Sequence, residues 1–211
     1  GIGNLVGFPV NAAKNGGGAF LLMYALFVFL ICLPVMIAEM AVGRKTAKEP
    51  VGAYKTLSDN SSLWGIAGLF GVLTPFMIAV FYMVLTVWIF GYIVLTVTGN
   101  LDYLASGAGF GEFINSPYLF AAMAVVAAIV NFILVAGVKD GIEKAAKTLM
   151  PTLFVMLIIM VVFVLTLDNA MAGVKFFLIP DISKITPSVI NGALSQAFFS
   201  LSLGMGILIT Y

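Results

Sequence analysis

A chain of 211 residues that is 62% hydrophobic and 9% charged, with a mean hydropathy of +1.15, is not composed like a soluble domain, where about a quarter of residues are charged. It reads as an integral membrane protein, and its net charge of +1 is not the basic surface that nucleic-acid binding calls for. With no histidine and one cysteine, Cys32, it offers no histidine-ligated metal site, no Ser-His-Asp constellation and no internal disulfide, so an intramembrane enzyme has little support.

The chain opens without Met, in the middle of a motif, and stops inside an apolar run, so a fragment of a longer protein is expected. No basic region followed by a short apolar core marks a cleavable signal. Residues 1–10 read as the tail of a span, punctuated by Pro9 and by Asn15-Gly16-Gly17-Gly18. Residues 19–42 are apolar for longer than the ~20 residues needed to cross hydrocarbon, with Glu39 near their end. The polar stretch 43–62 carries Arg44, Lys45, Lys48 and Lys55, and Glu49 to Leu57 is expected to form a short surface helix. Residues 66–97 form a long span with Pro75 early in it, which should tilt or kink it. A loop without Lys or Arg follows, then a span at 118–136, the charged stretch 137–147, and a span at 148–167 with Pro151 in its first turn. After a loop with two prolines comes a last apolar run, 190–211.

That last run holds Ser200-Leu201-Ser202-Leu203-Gly204-Met205-Gly206. Each Gly costs about 1 kcal/mol against Ala in a helix interior. A broken helix is tolerated in hydrocarbon only where its freed backbone groups face protein or a wet cavity. Gly1-Ile2-Gly3-Asn4 is a second such stretch, and the two breaks are expected to face each other and form one binding site. Gly3 and Gly7 also make a small-xxx-small pair suited to helix packing, and the serines near 200 also suit a simple kink. The fold class is all-α: a polytopic membrane protein, residues 1–211 forming one transmembrane domain. Its two interrupted spans are separated by four complete ones, as in a five-plus-five inverted repeat.

Loops 43–62 and 137–147 hold seven of the ten Lys and Arg, and segments 11–18, 98–117 and 168–187 hold the other three. The first pair is therefore expected on the cytoplasmic side of a plasma membrane.

At six places the chain resembles the neurotransmitter:sodium symporters. These are Gly1-Ile2-Gly3-Asn4 with Phe8-Pro9; Asn15-Gly16-Gly17-Gly18-Ala19-Phe20 leading to Tyr24; Glu39 followed by Gly43-Arg44; Phe81-Tyr82 ahead of Trp88; Lys139-Asp140-Gly141-Ile142-Glu143-Lys144; and Gln196 to Gly206. The resemblance runs from end to end and makes the chain the first to the sixth span, about half of a full member. It implies a sodium-coupled secondary active transporter that imports an amino acid by alternating access between discontinuous first and sixth helices. A receptor that binds an amino acid in the same pocket without moving it is the alternative.

The resemblance also implies the site. Asn4 and Ser200 become ligands of a sodium ion, Ser200 standing where many members have Thr. Backbone N–H groups of Ile2 and Gly3 meet a substrate carboxylate, as helix N-termini do. Tyr82, otherwise an ordinary packed aromatic, bonds the same carboxylate. Carbonyls near Phe199 and Ser200, with Ser202, receive the substrate ammonium. Ile78, Phe199 and Met205 line a pocket for an apolar or aromatic side chain. Tyr24, Gln196 and Ser200 match three positions that bind chloride in some members, and they equally suit polar pairing between spans. A second sodium site of this family draws on residues outside the chain. Many members carry Trp-Arg just before Phe-Pro and use that Arg in an outer gate; here Val6 and Gly7 stand there, so closure would rest on Phe199 and Tyr82. Glu39 is expected to hydrogen-bond backbone and is given no transport role. Oligomeric state is not legible in the residues.

Overall fold

The computed structural model describes residues 2–211, the side chains of Leu101 and Leu104 excepted; Gly1, which opens the first motif, lies outside the described residues. Every regular element among the described residues is helical. In chain order, α1 is a π turn over Gly3–Gly7 that continues as an α-helix over Phe8–Lys14. Helix α2 is Gly18–Thr46, α3 Pro50–Leu57, α4 Ser62–Val97, and the short α5 and α6 are Leu101–Ala105 and Gly109–Ile114. Helix α7 is Pro117–Val135, α8 Val138–Leu165, α9 Ala170–Leu178, α10 Pro187–Ser200 and α11 Ile207–Thr210. Four of these, α2, α4, α7 and α8, are long and apolar enough to cross a membrane. Their exposed faces carry large apolar side chains such as Phe29, Phe132 and Phe163, as lipid-facing helices do. The protein is an all-α, multi-pass membrane protein.

Two of the widened turns have a common local cause. The π turn Gly3–Gly7 ends two residues before Pro9, and the π turn Val28–Cys32 inside α2 ends two residues before Pro34. A proline offers no N–H to the fourth carbonyl before it, and its ring crowds that carbonyl. Widening the preceding turn relieves the clash. Phe8 N–H then bonds the Gly3 carbonyl and Leu33 N–H that of Val28, in the i to i+5 pattern. The first motif is therefore not an open break over the described residues but a π turn that opens α1 and runs straight into its α-helical part, which reaches Lys14 rather than ending near Val10.

The glycine run does stop the helix, because Gly16 and Gly17 take left-handed φ values of 82° and 59°. The stretch 137–147 is helical rather than a loop. Gly137 turns the chain at φ 83°, a π turn spans Val138–Glu143, and Lys147 pairs with Glu143 at 2.7 Å one turn on. The short helix expected over Glu49–Leu57 forms as α3. Glu49 caps it, its carboxylate accepting from Val51 N–H at 2.6 Å and Gly52 N–H at 2.8 Å.

The chain divides into two compact units, Gly1–Phe76 with Val164–Tyr211, and Met77–Phe163. In the first, α10 lies along α2. Ala12, Phe20, Val189 and Ala193 form one buried cluster, and Cys32, Ala197 and Leu203 another, with Tyr24 and Phe27 packed against both. Lipid is as apolar as Leu, so helices here are held by close packing rather than by escape from water. Small side chains make that approach possible: Ala193 and Ala197 are one turn apart on α10, and Gly43 of α2 lies directly on the Ile209 carbonyl of α11. In the second unit Val87 of α4 packs with Ala122 and Val126 of α7, and Gly91 makes room for the Phe113 ring of α6.

Candidate functional site

Helix α10 starts at Thr186, whose hydroxyl accepts from Val189 N–H at 3.3 Å, and it ends at Ser200. Beyond it Ser202, Gly204 and Gly206 take left-handed φ values of 55°, 73° and 66°. Alternate left-handed residues cannot continue a right-handed helix, and at Ser202, which has a Cβ, such a conformation costs about 1–3 kcal/mol. The last turn closes on itself: Leu201 N–H bonds the Ala197 carbonyl, Leu203 N–H that of Phe198 and Ser202 N–H that of Phe199. The Phe198 and Phe199 carbonyls are thus engaged in the helix end.

The Ser200 carbonyl is different. In an unbroken α-helix its partner would be the N–H of Gly204. That N–H instead bonds Glu39 Oε1 at 2.7 Å. Glu39 is buried at 8% exposure, and its other oxygen, Oε2, has no hydrogen-bond partner among the described residues. A charge-assisted bond of this kind is worth about 1.5–3 kcal/mol. It holds the break open from a neighbouring helix. Gly206 is seated against Pro50 and against the Gly71 carbonyl, 3.1 Å from where a Cβ would stand. That carbonyl lacks its own helical partner, because the residue four later is Pro75. The negative charge of Glu39 also reaches Tyr54 on α3, whose hydroxyl is pushed up first by burial and then by that charge.

From the other side comes the π turn of α1. Ser200 Oγ donates to Asn4 Oδ1 at 2.8 Å, 196 positions away in the chain. Gln196 Nε2 donates to Ser200 Oγ at 3.2 Å, and Asn11 Nδ2 donates to Gln196 Oε1 at 2.9 Å. The row Asn4, Ser200, Gln196, Asn11 adds a polar seam to the apolar packing of Ala12 against Val189 and Ala193. Asn11 is a member that the sequence reading missed. Its signal was spacing: Asn4 and Asn11 are seven apart, Gln196 and Ser200 four apart, so each pair shares a helix face.

Asn4 Oδ1 and Ser200 Oγ are neutral, hard oxygen donors. Such oxygens suit a hard cation, whereas divalent ions are usually held with carboxylates. No group of three or more His, Cys, Asp or Glu side chains among the described residues could hold a metal. The pair therefore fits a monovalent ion better than a divalent one.

Of the other expected site residues, Ile2, Gly3, Phe199, Ser202 and Met205 are half-buried and belong to the same unit as Asn4 and Ser200. Tyr24 of α2 is half-buried, its ring edge-on to Phe8 of α1 at 4.9 Å, while Gln196 is 6% exposed. Ile78 and Tyr82 lie in the second unit, one turn apart on α4, both half-buried.

A model of the sodium:neurotransmitter symporter family matches residues 1–116 and 111–211, the whole chain. The sodium-dependent transporter YhdH of Bacillus subtilis is 40% identical over 100% of this chain and 48% of its own length. The human sodium- and chloride-dependent transporter XTRP3 is 27% identical over 100% of this chain and 40% of its own. The bovine sodium- and chloride-dependent taurine transporter is 26% identical, over 98% and 40%. The chain thus spans about half the length, or less, of the curated relatives it matches.

Proposed function

The chain belongs to the sodium:neurotransmitter symporter family, and on that premise we propose that the full-length protein is a sodium-coupled symporter that imports an amino acid by alternating access. The observation that carries the reading is the 2.8 Å contact between Asn4 Oδ1 and Ser200 Oγ beside the Glu39-held break. The Ser200 hydroxyl donates to the Asn4 oxygen. Both oxygens would hold a sodium ion, with that hydroxyl donating elsewhere. Thr would serve at Ser200 as well, since only the hydroxyl is used.

The substrate carboxylate would lie next to the ion, on the N–H groups of Ile2 and Gly3. The ammonium would meet the Ser200 carbonyl, released from its helical partner, with Ser202. Phe199 and Met205 would line the space for an apolar or aromatic side chain. Attraction between carboxylate and ion makes the two affinities rise together, as linkage requires. Chloride would sit at Tyr24, Gln196 and Ser200, in keeping with the names of the human and bovine relatives. The basic stretches 43–62 and 137–147 would face the cytoplasm.

Uptake of labelled amino acids into proteoliposomes containing the full-length protein tests the reading. Accumulation driven by an inward sodium gradient is expected, and replacing chloride with gluconate reports on the anion. Saturable, sodium-dependent binding with no accumulation would instead identify a receptor.

A further inference from the structure

Where α2 leaves its apolar stretch it meets α11 across Gly43, and beside that contact a groove of ≈ 860 Å³ opens. Ile37 and Met40 of α2 and Leu208 and Ile209 of α11 line it together with Arg44 and Lys48, and Thr210 and Tyr211 at the end of the chain complete that wall. Glu49 also lines it, but both its oxygens are turned into the cap of α3 by the N–H groups of Val51 and Gly52. Lys48 Nζ donates to the neutral Thr56 hydroxyl at 3.0 Å. Among the described residues no carboxylate forms an ion pair with Arg44 or Lys48.

Apolar side chains and two uncompensated cations lining one groove, at the point where a 29-residue membrane helix ends, match the boundary between acyl chains and headgroups. The helix dipole accounts for basic residues in the last turn of α2, Arg44 and Lys45 alike. It does not account for the groove, which Arg44 lines and Lys45 does not. We propose that this groove binds one anionic phospholipid. Its phosphate rests on Arg44 and Lys48, and an acyl chain runs along Ile37, Met40, Leu208 and Ile209. The lipid thereby bridges α2 to the second piece of the broken helix. This site stands apart from the ion site and does not depend on the transport reading.

Native mass spectrometry of the full-length protein, released from membranes of mixed phosphatidylglycerol and phosphatidylcholine, tests it. Wild type is expected to retain phosphatidylglycerol over phosphatidylcholine by about thirtyfold, the factor that two basic groups at a membrane surface supply. The double variant Arg44→Ala/Lys48→Ala should lose that preference, while Lys45→Ala should keep it. Met40→Trp, which enlarges a lining side chain and leaves every charge in place, should weaken lipid retention, so the outcome does not hang on the double variant folding. Preference that survives Arg44→Ala/Lys48→Ala, or that falls equally in Lys45→Ala, overturns the proposal. So does its absence from wild type, the result expected if another part of the full chain fills the groove. Displacement of the lipid by millimolar glycerol phosphate would mean that the groove takes a soluble phosphate instead.

Discussion

Glu39 and Gly204 are 165 positions apart in the chain and 2.7 Å apart in the structure, carboxylate oxygen to backbone N–H. Glu39 takes the donor that would otherwise have carried α10 onward through the Ser200 carbonyl. Replacing it with Gln keeps an acceptor at the right place, whereas Ala leaves a buried N–H without one. The expected loss for Glu39→Ala is about 1–3 kcal/mol, with Glu39→Gln closer to wild type. Thermal unfolding of the full-length variants in detergent measures the ordering. Equal midpoints for wild type and Glu39→Ala would contradict the role given to this contact.

The second piece of the broken helix is held by surfaces with no room for a methyl group. A Cβ at Gly43 would meet the Ile209 carbonyl, and one at Gly206 would meet Pro50 in a backbone already left-handed at φ 66°. Gly43→Ala and Gly206→Ala should each destabilise by about 1–3 kcal/mol, as overpacked sites do. Gly173→Ala is the control. It faces open space inside α9 and should be neutral or slightly stabilising, since Ala is the better helix former. The midpoints of thermal unfolding decide.

Asp181 offers a pH test outside the membrane. Its carboxyl is held below the ordinary range chiefly by Ser183, whose hydroxyl donates at 2.6 Å and whose N–H donates at 3.1 Å. A folded value below the unfolded one gives stability that is present above the unfolded pKa, about 3.9, and lost as pH falls through the lower folded value. Ser183→Ala should move the Asp181 titration up toward the ordinary value. Carbon-detected NMR of labelled aspartate reads the shift, and an unmoved titration would reject the assignment.

Much of this arrangement was legible beforehand, for reasons that name particular residues. The break after Ser200 could be read from Gly204 and Gly206, because glycine takes left-handed backbone without steric cost, whereas the same conformation at Ser202 was not legible. The opening at the start of the chain was misassigned in kind. The glycines drew attention, but the π turn over Gly3–Gly7 answers to Pro9, and the same device recurs at Pro34. Glu39 was seen as a backbone partner without the backbone group being identifiable, because its contact spans a sequence separation that no periodicity reports. Asn11 went unnoticed because its role exists only once Gln196 has been brought alongside. The helical stretch 137–147 was hidden by its charges, which an i,i+4 pair accommodates on a helix as readily as a loop does.

Sidedness follows from Lys and Arg and is open to direct labelling. Cys32 is fully buried, so it should add little background. In intact cells an impermeant thiol reagent should modify Gly107→Cys, in the loop without basic residues, and spare Ser58→Cys, in the loop with four. The reverse pattern would invert the proposed topology.

The central claim is that Asn4 and Ser200 hold the driving ion between them. The most direct measurement is the sodium concentration that half-saturates uptake by the full-length protein in proteoliposomes. Asn4→Ala and Ser200→Ala should each raise it about tenfold or more, which corresponds to ~1.4 kcal/mol of lost ion binding. Ser200→Thr, which keeps the hydroxyl, should leave it close to wild type. If Asn4→Ala and Ser200→Ala instead transport with an unchanged sodium requirement, the ion is held elsewhere and the account fails.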